Sequence, residues 1–186
     1  MRVFIGIKPD DSVRETIKHA LEPFYRIPTP IKWVKPENIH LTLKFIGEIA
    51  PEKKDKIVAG IKKAEFQSAP ISLHISGFGK FGPGKNLNIF WAGIDPSPPL
   101  KKVYDRIEDT LAEMGIPRET RPFKPHLTLG RNKKNADFTP ILALIDRYRE
   151  VSITRFTFGE FHIFKSTLTP EGPLYSILEE VKLSHA

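Results

Sequence analysis

Apolar positions recur along the chain at two spacings, and the switches between them outline the elements. Residues 3–8 (VFIGIK) are a β-branched and aromatic run that predicts a first strand. Val13, Ile17, Leu21 and Phe24 then fall at helical spacing behind Asp10 and Asp11, either of which suits a helix cap. A proline-rich stretch at 28–36 ends that helix, with a short strand expected from Ile31 to Val34. Strict alternation returns from Asn38 to Ile46 and predicts a strand with one face buried. A second helix is expected from Pro51 to about Phe66, with Ile57, Val58, Ile61 and Ala64 turned inward. Ile71–Phe78 and Leu87–Ile94 read as strands joined by the glycine-rich turn GKFGPGKN.

The cluster PSPP at 96–99 is the one linker-like stretch, and it falls near the middle of the chain. Leu100, Val103, Tyr104, Ile107, Leu111 and Met114 follow as an amphipathic helix, stopped by Gly115 and Pro117. A strand at 125–131, a short helix at about 139–148 and strands at 151–158, 160–166 and 174–181 complete the pattern. The strands alternate rather than run continuously apolar, which favours antiparallel sheets covered on one face in an α+β arrangement over a doubly wound parallel sheet. With 186 residues, the chain is expected to be one ordinary domain or two small lobes sharing a core. No GxxxxGK[ST], HExxH or GxSxG occurs, so P-loop cradles, zincin sites and nucleophile elbows have no support.

One tetrapeptide occurs twice. His40-Leu41-Thr42-Leu43 and His126-Leu127-Thr128-Leu129 stand 86 residues apart and share even their apolar fillers, as an internal duplication would. In a strand, residues two apart share a face, so each histidine and its threonine point one way and the leucines point into the core. Two such strands side by side present two imidazoles and two hydroxyls to one cleft. An acid, a base and donors for anionic oxygens suit a phosphodiester. Histidine fills both proton-transfer roles because its unperturbed pKa lies near neutrality. Neither tetrapeptide holds an Asp or Glu to complete a hard-ion site, so no metal is expected.

Charge points the same way. The chain carries +7, and the segment Arg118 to Asn135 holds six basic residues (Arg118, Arg121, Lys124, Arg131, Lys133, Lys134) and one acid, Glu119. One stretch is thus built to meet an anion, as an RNA-binding surface requires. Arg118, Arg121 and Lys124 are expected to hold a polynucleotide backbone. Lys44 shares the face of His40 and Thr42 by strand parity, as a phosphate contact or as an ordinary solvated lysine. Parity sets Arg131 opposite His126 and Thr128, although a bulge at Gly130 would re-aim it onto the phosphate. Trp33, Phe81 and Tyr175 are candidates to stack a terminal base, with core packing the competing role for Trp33. His19, His74, His162 and His185 lack the motif's context.

Zero cysteines exclude disulfides, thiolate metal sites and thiol nucleophiles. No apolar run reaches the roughly 18–20 residues of a membrane helix. The start, MRVFIGIKPDDS, lacks the longer apolar core and small-residue cleavage site of a signal peptide, so a cytoplasmic location is expected.

These residues give the chain a resemblance to the two-histidine (2H) phosphoesterases, in particular the 2′-5′ RNA ligase-like RNA 2′,3′-cyclic phosphodiesterases. It rests on RVFIGI at the start, WVKPENIHLTLKFIGE at 33–48, RPFKPHLTLGR at 121–131 and STLTPEGPLYSIL at 166–178, in that order. The resemblance implies a two-lobed α+β fold with pseudo-two-fold symmetry. Each lobe is an antiparallel sheet with helices outside, and the active site lies in the central cleft. It implies hydrolysis of a terminal 2′,3′-cyclic phosphate on RNA, tRNA fragments among the candidates, to a 2′-phosphomonoester. His40 is then the proton donor, His126 the acceptor, and Thr42 and Thr128 donors to the phosphate oxygens. No metal or cofactor is required, the reverse joining to a 2′-5′ linkage is open to the same site, and a monomer is expected. Two other readings stand beside it: a phosphodiesterase on small cyclic nucleotides or ADP-ribose cyclic phosphate, and a non-catalytic RNA-binding protein.

Overall fold

The computed structural model describes residues 1–132, 134, 136–170 and 172–184. In chain order the elements are β1 (Arg2–Ile7), α1 (Asp11–Ala20), α2 (Glu22–Tyr25), β2 (Lys32–Trp33), a 3-10 turn at Pro36–Asn38, β3 (Leu41–Glu48), α3 (Pro51–Lys63), β4 (Ile71–Phe81) and β5 (Ile89–Ile94). Then come α4 (Pro98–Glu113), β6 (His126–Arg131), α5 (Thr139–Arg147), β7 (Ser152–Phe158), β8 (Glu160–Thr169) and β9 (Gly172–Lys182). The class is α+β, as the alternation predicts. Among the described residues no helix is long and apolar enough to cross a membrane.

All the strands share one curled sheet of order β7-β4-β5-β6-β3-β1-β8-β9, with β2 paired to β6. Every neighbouring pair is antiparallel. At the centre β3 and β6 meet through a single pairing, Leu41 with Leu127, which sets the two tetrapeptides side by side. Outward from that seam β3 is followed by β1, β8 and β9, and β6 by β5, β4 and β7. One half-sheet therefore draws its strands from both ends of the chain and the other from its middle.

That arrangement corrects the reading of PSPP as a linker. Pro98 and Pro99 open α4, where a missing N–H costs nothing, and the Ser97 hydroxyl accepts from the Leu100 amide at 3.3 Å as its N-cap. The helices close over one face of the sheet: α1 packs on β7, α4 on β3 and α5 on β4. Leu41, Leu43, Leu127 and Leu129 point into this single core and are at most 3% exposed. Each such burial contributes about 1.5–3 kcal/mol, so the leucines of the repeat anchor from behind whatever the opposite face presents.

The strict alternation expected from Asn38 to Ile46 breaks. In β3 the register passes from Thr42 opposite Gly6 to Lys44 opposite Ile5, leaving Leu43 as the extra residue of a β-bulge. In β6 it passes from Thr128 opposite Trp91 to Gly130 opposite Phe90, leaving Leu129 extra. A bulge returns the following residue to the face it would otherwise have left. Both motifs carry one at the same place, and the residues just after it change sides; in β3 a second shift follows at Ile46.

Candidate active site

His40 stands just before β3 and His126 opens β6, so each imidazole sits where the chain enters the sheet. Each Nδ1 donates to the carbonyl two residues earlier, His40 to Asn38 and His126 to Lys124, both at 2.7 Å. That bond holds the proton on Nδ1 and leaves Nε2 as the atom that meets a substrate. Thr42 and Thr128 lie partly exposed on the same face. His40, Thr128 and Arg131 line one cleft of about 370 Å³ together with Trp33, Asn38 and Tyr175.

The two rings have different walls. Phe4 lies 4.8 Å from His40 and Tyr175 meets it edge-on at 5.1 Å, with Phe164 at 6.3 Å. His126 meets the edge of Phe81 at 4.9 Å and has Trp91 at 6.3 Å. Burial pushes the His40 imidazole down to about 4, and the positive charges of Arg131 and His126 add to it, against the hydrogen bond to Asn38. His126 is also lowered, first by burial and then by Arg131, against its bond to Lys124. An imidazole that resists protonation until an anion arrives fits a site for phosphate.

Of the predicted basic contacts, Arg131 is the one the structure brings to the cleft. The bulge in β6 re-aims it, centred on Leu129 rather than Gly130. Lys44 goes the other way and corrects the parity argument. The bulge in β3 turns it under α4, where its Nζ donates to Glu108 Oε2 at 2.8 Å and to the Pro117 carbonyl at 2.7 Å, 6% exposed. It is neither a phosphate contact nor a solvated lysine.

Arg118 pairs with Asp109 on α4, and Arg121 forms a two-bond pair with Glu119. Two of the basic side chains are thus matched by acids, one of them on the preceding helix, which corrects the picture of an open cationic track. The Lys124 side chain is exposed, while its carbonyl orients His126. Lys134 is exposed; Lys133 and His185 lie outside the described residues.

All three aromatic candidates reach the site. Trp33 packs on the core, edge-on to Phe90 at 5.4 Å, as its competing role predicts, and it also lines the cleft. Phe4, Phe164 and Trp91 escape the sequence reading because their strands look like core. The remaining signal was weak: Phe4 interrupts a strand whose other apolar residues are aliphatic. His74 is held by Asp95 at 2.7 Å and Ser152 at 2.8 Å, and His19 by Glu22 at 3.1 Å, as satisfied surface residues.

Comparison with known proteins agrees with this geometry. The chain is 32% identical to the RNA 2′,3′-cyclic phosphodiesterase of Archaeoglobus fulgidus over 96% of its length and 98% of the relative's. It is 31% identical to the protein of the same name from Methanocaldococcus jannaschii over 97% and 99%. The crystal structure of TT0787 of Thermus thermophilus superposes with a TM-score of 0.81 at 27% identity, covering 100% of this chain and 99% of that one. The family model of the 2′-5′ RNA ligase superfamily matches residues 9–169, both tetrapeptides included. The chain belongs to that superfamily.

Proposed function

We propose that this protein hydrolyses the 2′,3′-cyclic phosphate at an RNA end to a 2′-phosphomonoester. The observation that carries the reading is the pair of imidazoles, each pinned through Nδ1 at 2.7 Å to the carbonyl two residues before it. Water attacks phosphorus and gives its proton to His126 Nε2. The bond from phosphorus to O3′ breaks, and O3′ takes the proton of His40 Nε2, leaving a 3′-hydroxyl and a 2′-phosphate. Thr42 and Thr128 donate to the non-bridging oxygens, and Arg131 offsets their charge. A 5′-hydroxyl in the place of water makes a 2′-5′ linkage through the same steps. Each role is taken by a side chain of this protein, so the chemistry calls for no metal. The relatives' names support the substrate, and the reading carries with it a cytoplasmic monomer acting on ends such as those of tRNA fragments.

Small cyclic nucleotides, ADP-ribose cyclic phosphate among them, form a second reading. It is favoured by the ion pairs that occupy Arg118 and Arg121, while Arg131 lines the cleft with Lys32 and Lys35. One experiment addresses both. An oligonucleotide and a mononucleotide, each ending in a 2′,3′-cyclic phosphate, are incubated with the protein in excess EDTA and the product isomers identified. Turnover of the oligonucleotide to the 2′-phosphate is expected. A 3′-phosphate product, or activity that returns only with Mg²⁺ or Mn²⁺, overturns the mechanism. Turnover of the mononucleotide alone selects the second reading, and binding of RNA without turnover selects a non-catalytic RNA-binding protein.

A further inference from the structure

Glu160, His162 and Glu180 come together on β8 and β9, away from the catalytic pair. Glu160 and His162 are two residues apart on β8 and share a face; Glu180 of β9 lies directly opposite His162. One donor atom from each residue falls within 4.8 Å of the other two. The face is the one that carries His40. Phe164 stacks on Phe4 at 4.9 Å, Phe4 touches His40 at 4.8 Å, and His162 follows Phe164 at 5.5 Å.

The imidazole at the centre of this cluster is 8% exposed, and its Nδ1 is buried without a hydrogen-bond partner among the described residues. Its Nε2 points at both carboxylates, 3.5 Å from Glu160 Oε1 and 3.9 Å from Glu180 Oε2. Those gaps exceed the roughly 2.7–3.2 Å of a good hydrogen bond. A tetrahedral Zn²⁺ holding N and O donors at about 2.0–2.1 Å sets them about 3.3 Å apart, close to what is seen. Among the described residues no lysine or arginine forms an ion pair with either acid.

We propose that Glu160, His162 and Glu180 bind a first-row divalent cation, Zn²⁺ foremost, with water completing the shell. An imidazole with two carboxylates suits Zn²⁺ and its neighbours, whereas Ca²⁺ and Mg²⁺ prefer all-oxygen sites. No local pattern in the chain signals it, because Glu180 meets His162 only through the pairing of β8 with β9. The cation clamps β8 to β9 at the end remote from their Thr169–Gly172 turn. It thereby steadies the strand that lays Tyr175 against His40. Its role is structural, and turnover in the cleft does not pass through it.

The test uses the full chain, stripped with EDTA, dialysed and titrated with ZnCl₂ by calorimetry, with thermal unfolding followed in parallel. One equivalent with Kd tighter than about 10 μM and a rise in Tm of several degrees are expected. Co²⁺ in place of Zn²⁺ should give the visible absorption of a tetrahedral site. His162→Gln should abolish the site. Glu180→Gln alters an exposed carboxylate and keeps the fold, as far-UV circular dichroism will verify, and should weaken binding by about 10–100-fold or more. His74→Gln, at the unrelated His74–Asp95 pair, should bind as the unaltered protein does. No binding by the unaltered protein, or equal affinity and stoichiometry in Glu180→Gln, overturns the proposal. Cyclic phosphate turnover in EDTA is a separate reading, so failure of one leaves the other standing.

Discussion

The two tetrapeptides are alike in sequence and in anchoring, yet the sheet gives them different surroundings. Around His40, Phe4, Phe164 and Tyr175 build an aromatic pocket, and the imidazole is held down to about 4. Around His126 there are Phe81 and Trp91, and burial lowers the ring as well. Beyond the bulge the halves part further. Lys44 and Gly130 occupy matching places, one in a buried ion pair under α4, the other against the Ile31 and Trp33 side chains, where a Cβ would come within 2.5 Å of Ile31. The next residues are Phe45, 58% exposed, and Arg131, which faces the cleft. A duplicated motif thus supplies equal chemistry twice, and its neighbours assign unequal parts: one half contributes an apolar wall, the other the cation.

The largest effect should come from breaking the pair itself. If His40 and His126 act as acid and base, each replacement by alanine lowers kcat/KM by about 10²–10⁴-fold. The double variant should lose much less than the product of the two, because groups that act as a unit are not additive. A substrate with a better 3′ leaving group should partly rescue His40→Ala and leave His126→Ala unchanged. Rescue of the opposite variant would exchange the roles, and near-normal turnover in either would remove that histidine from the chemistry.

Lys44 gives the next largest effect, in stability. Glu108 Oε2 accepts from Lys44 at 2.8 Å and from the Glu119 amide at 3.0 Å, while Oε1 is buried with no partner among the described residues. Lys44→Met leaves that carboxylate uncompensated and should cost about 3–5 kcal/mol in urea unfolding. Adding Glu108→Gln should restore a good part of it. Activity per folded molecule should stay within about threefold, since a lysine turned beneath α4 lies on the opposite face from the reacting groups and makes no transition-state contact. A large loss of activity with unchanged stability would put Lys44 back on the phosphate.

The paired motif was legible because a two-residue period carries His and Thr to one face whatever the rest of the fold does. The class was legible for the same reason, through the alternation of Ile71–Phe78 or Ser152–Phe158. Bulges are another matter. Leu43-Lys44 and Leu129-Gly130 hold no local sign that one residue is extra, and a single insertion moved Lys44 off the site and Arg131 onto it. Pairings between distant segments were equally hidden, such as β8 with β1. Ser97-Pro98-Pro99 was different: a serine cap before prolines at the first helical positions was readable, and the composition of a linker masked it.

The smallest effect sharpens the comparison most, because it concerns how one half tunes the other. Both imidazoles lie below their ordinary 6.5, with burial the first cause and Arg131 a further one. Near neutral pH both are therefore uncharged, although the mechanism needs one of them protonated. As pH falls from neutrality the singly protonated form grows, and it declines again when the second proton binds, so kcat/KM should be bell-shaped with its maximum on the acid side. The bound phosphate diester is an anion and favours the imidazolium, so the alkaline limb of kcat should lie at higher pH than that of kcat/KM. The same sign governs folding: protonating buried His40 is unfavourable, so stability is fully present above about 6.5 and falls as pH drops toward about 4. Arg131→Gln removes a positive charge felt by both rings, which raises both pKa values. The alkaline limb of kcat/KM should then move up by about half a unit to one unit, alongside weaker binding of the phosphate. Arg131→Lys keeps the charge and should hold the limb near its original position. A limb that stays fixed in Arg131→Gln, or moves to lower pH, would mean that the cation of one half does not set the protonation of the other.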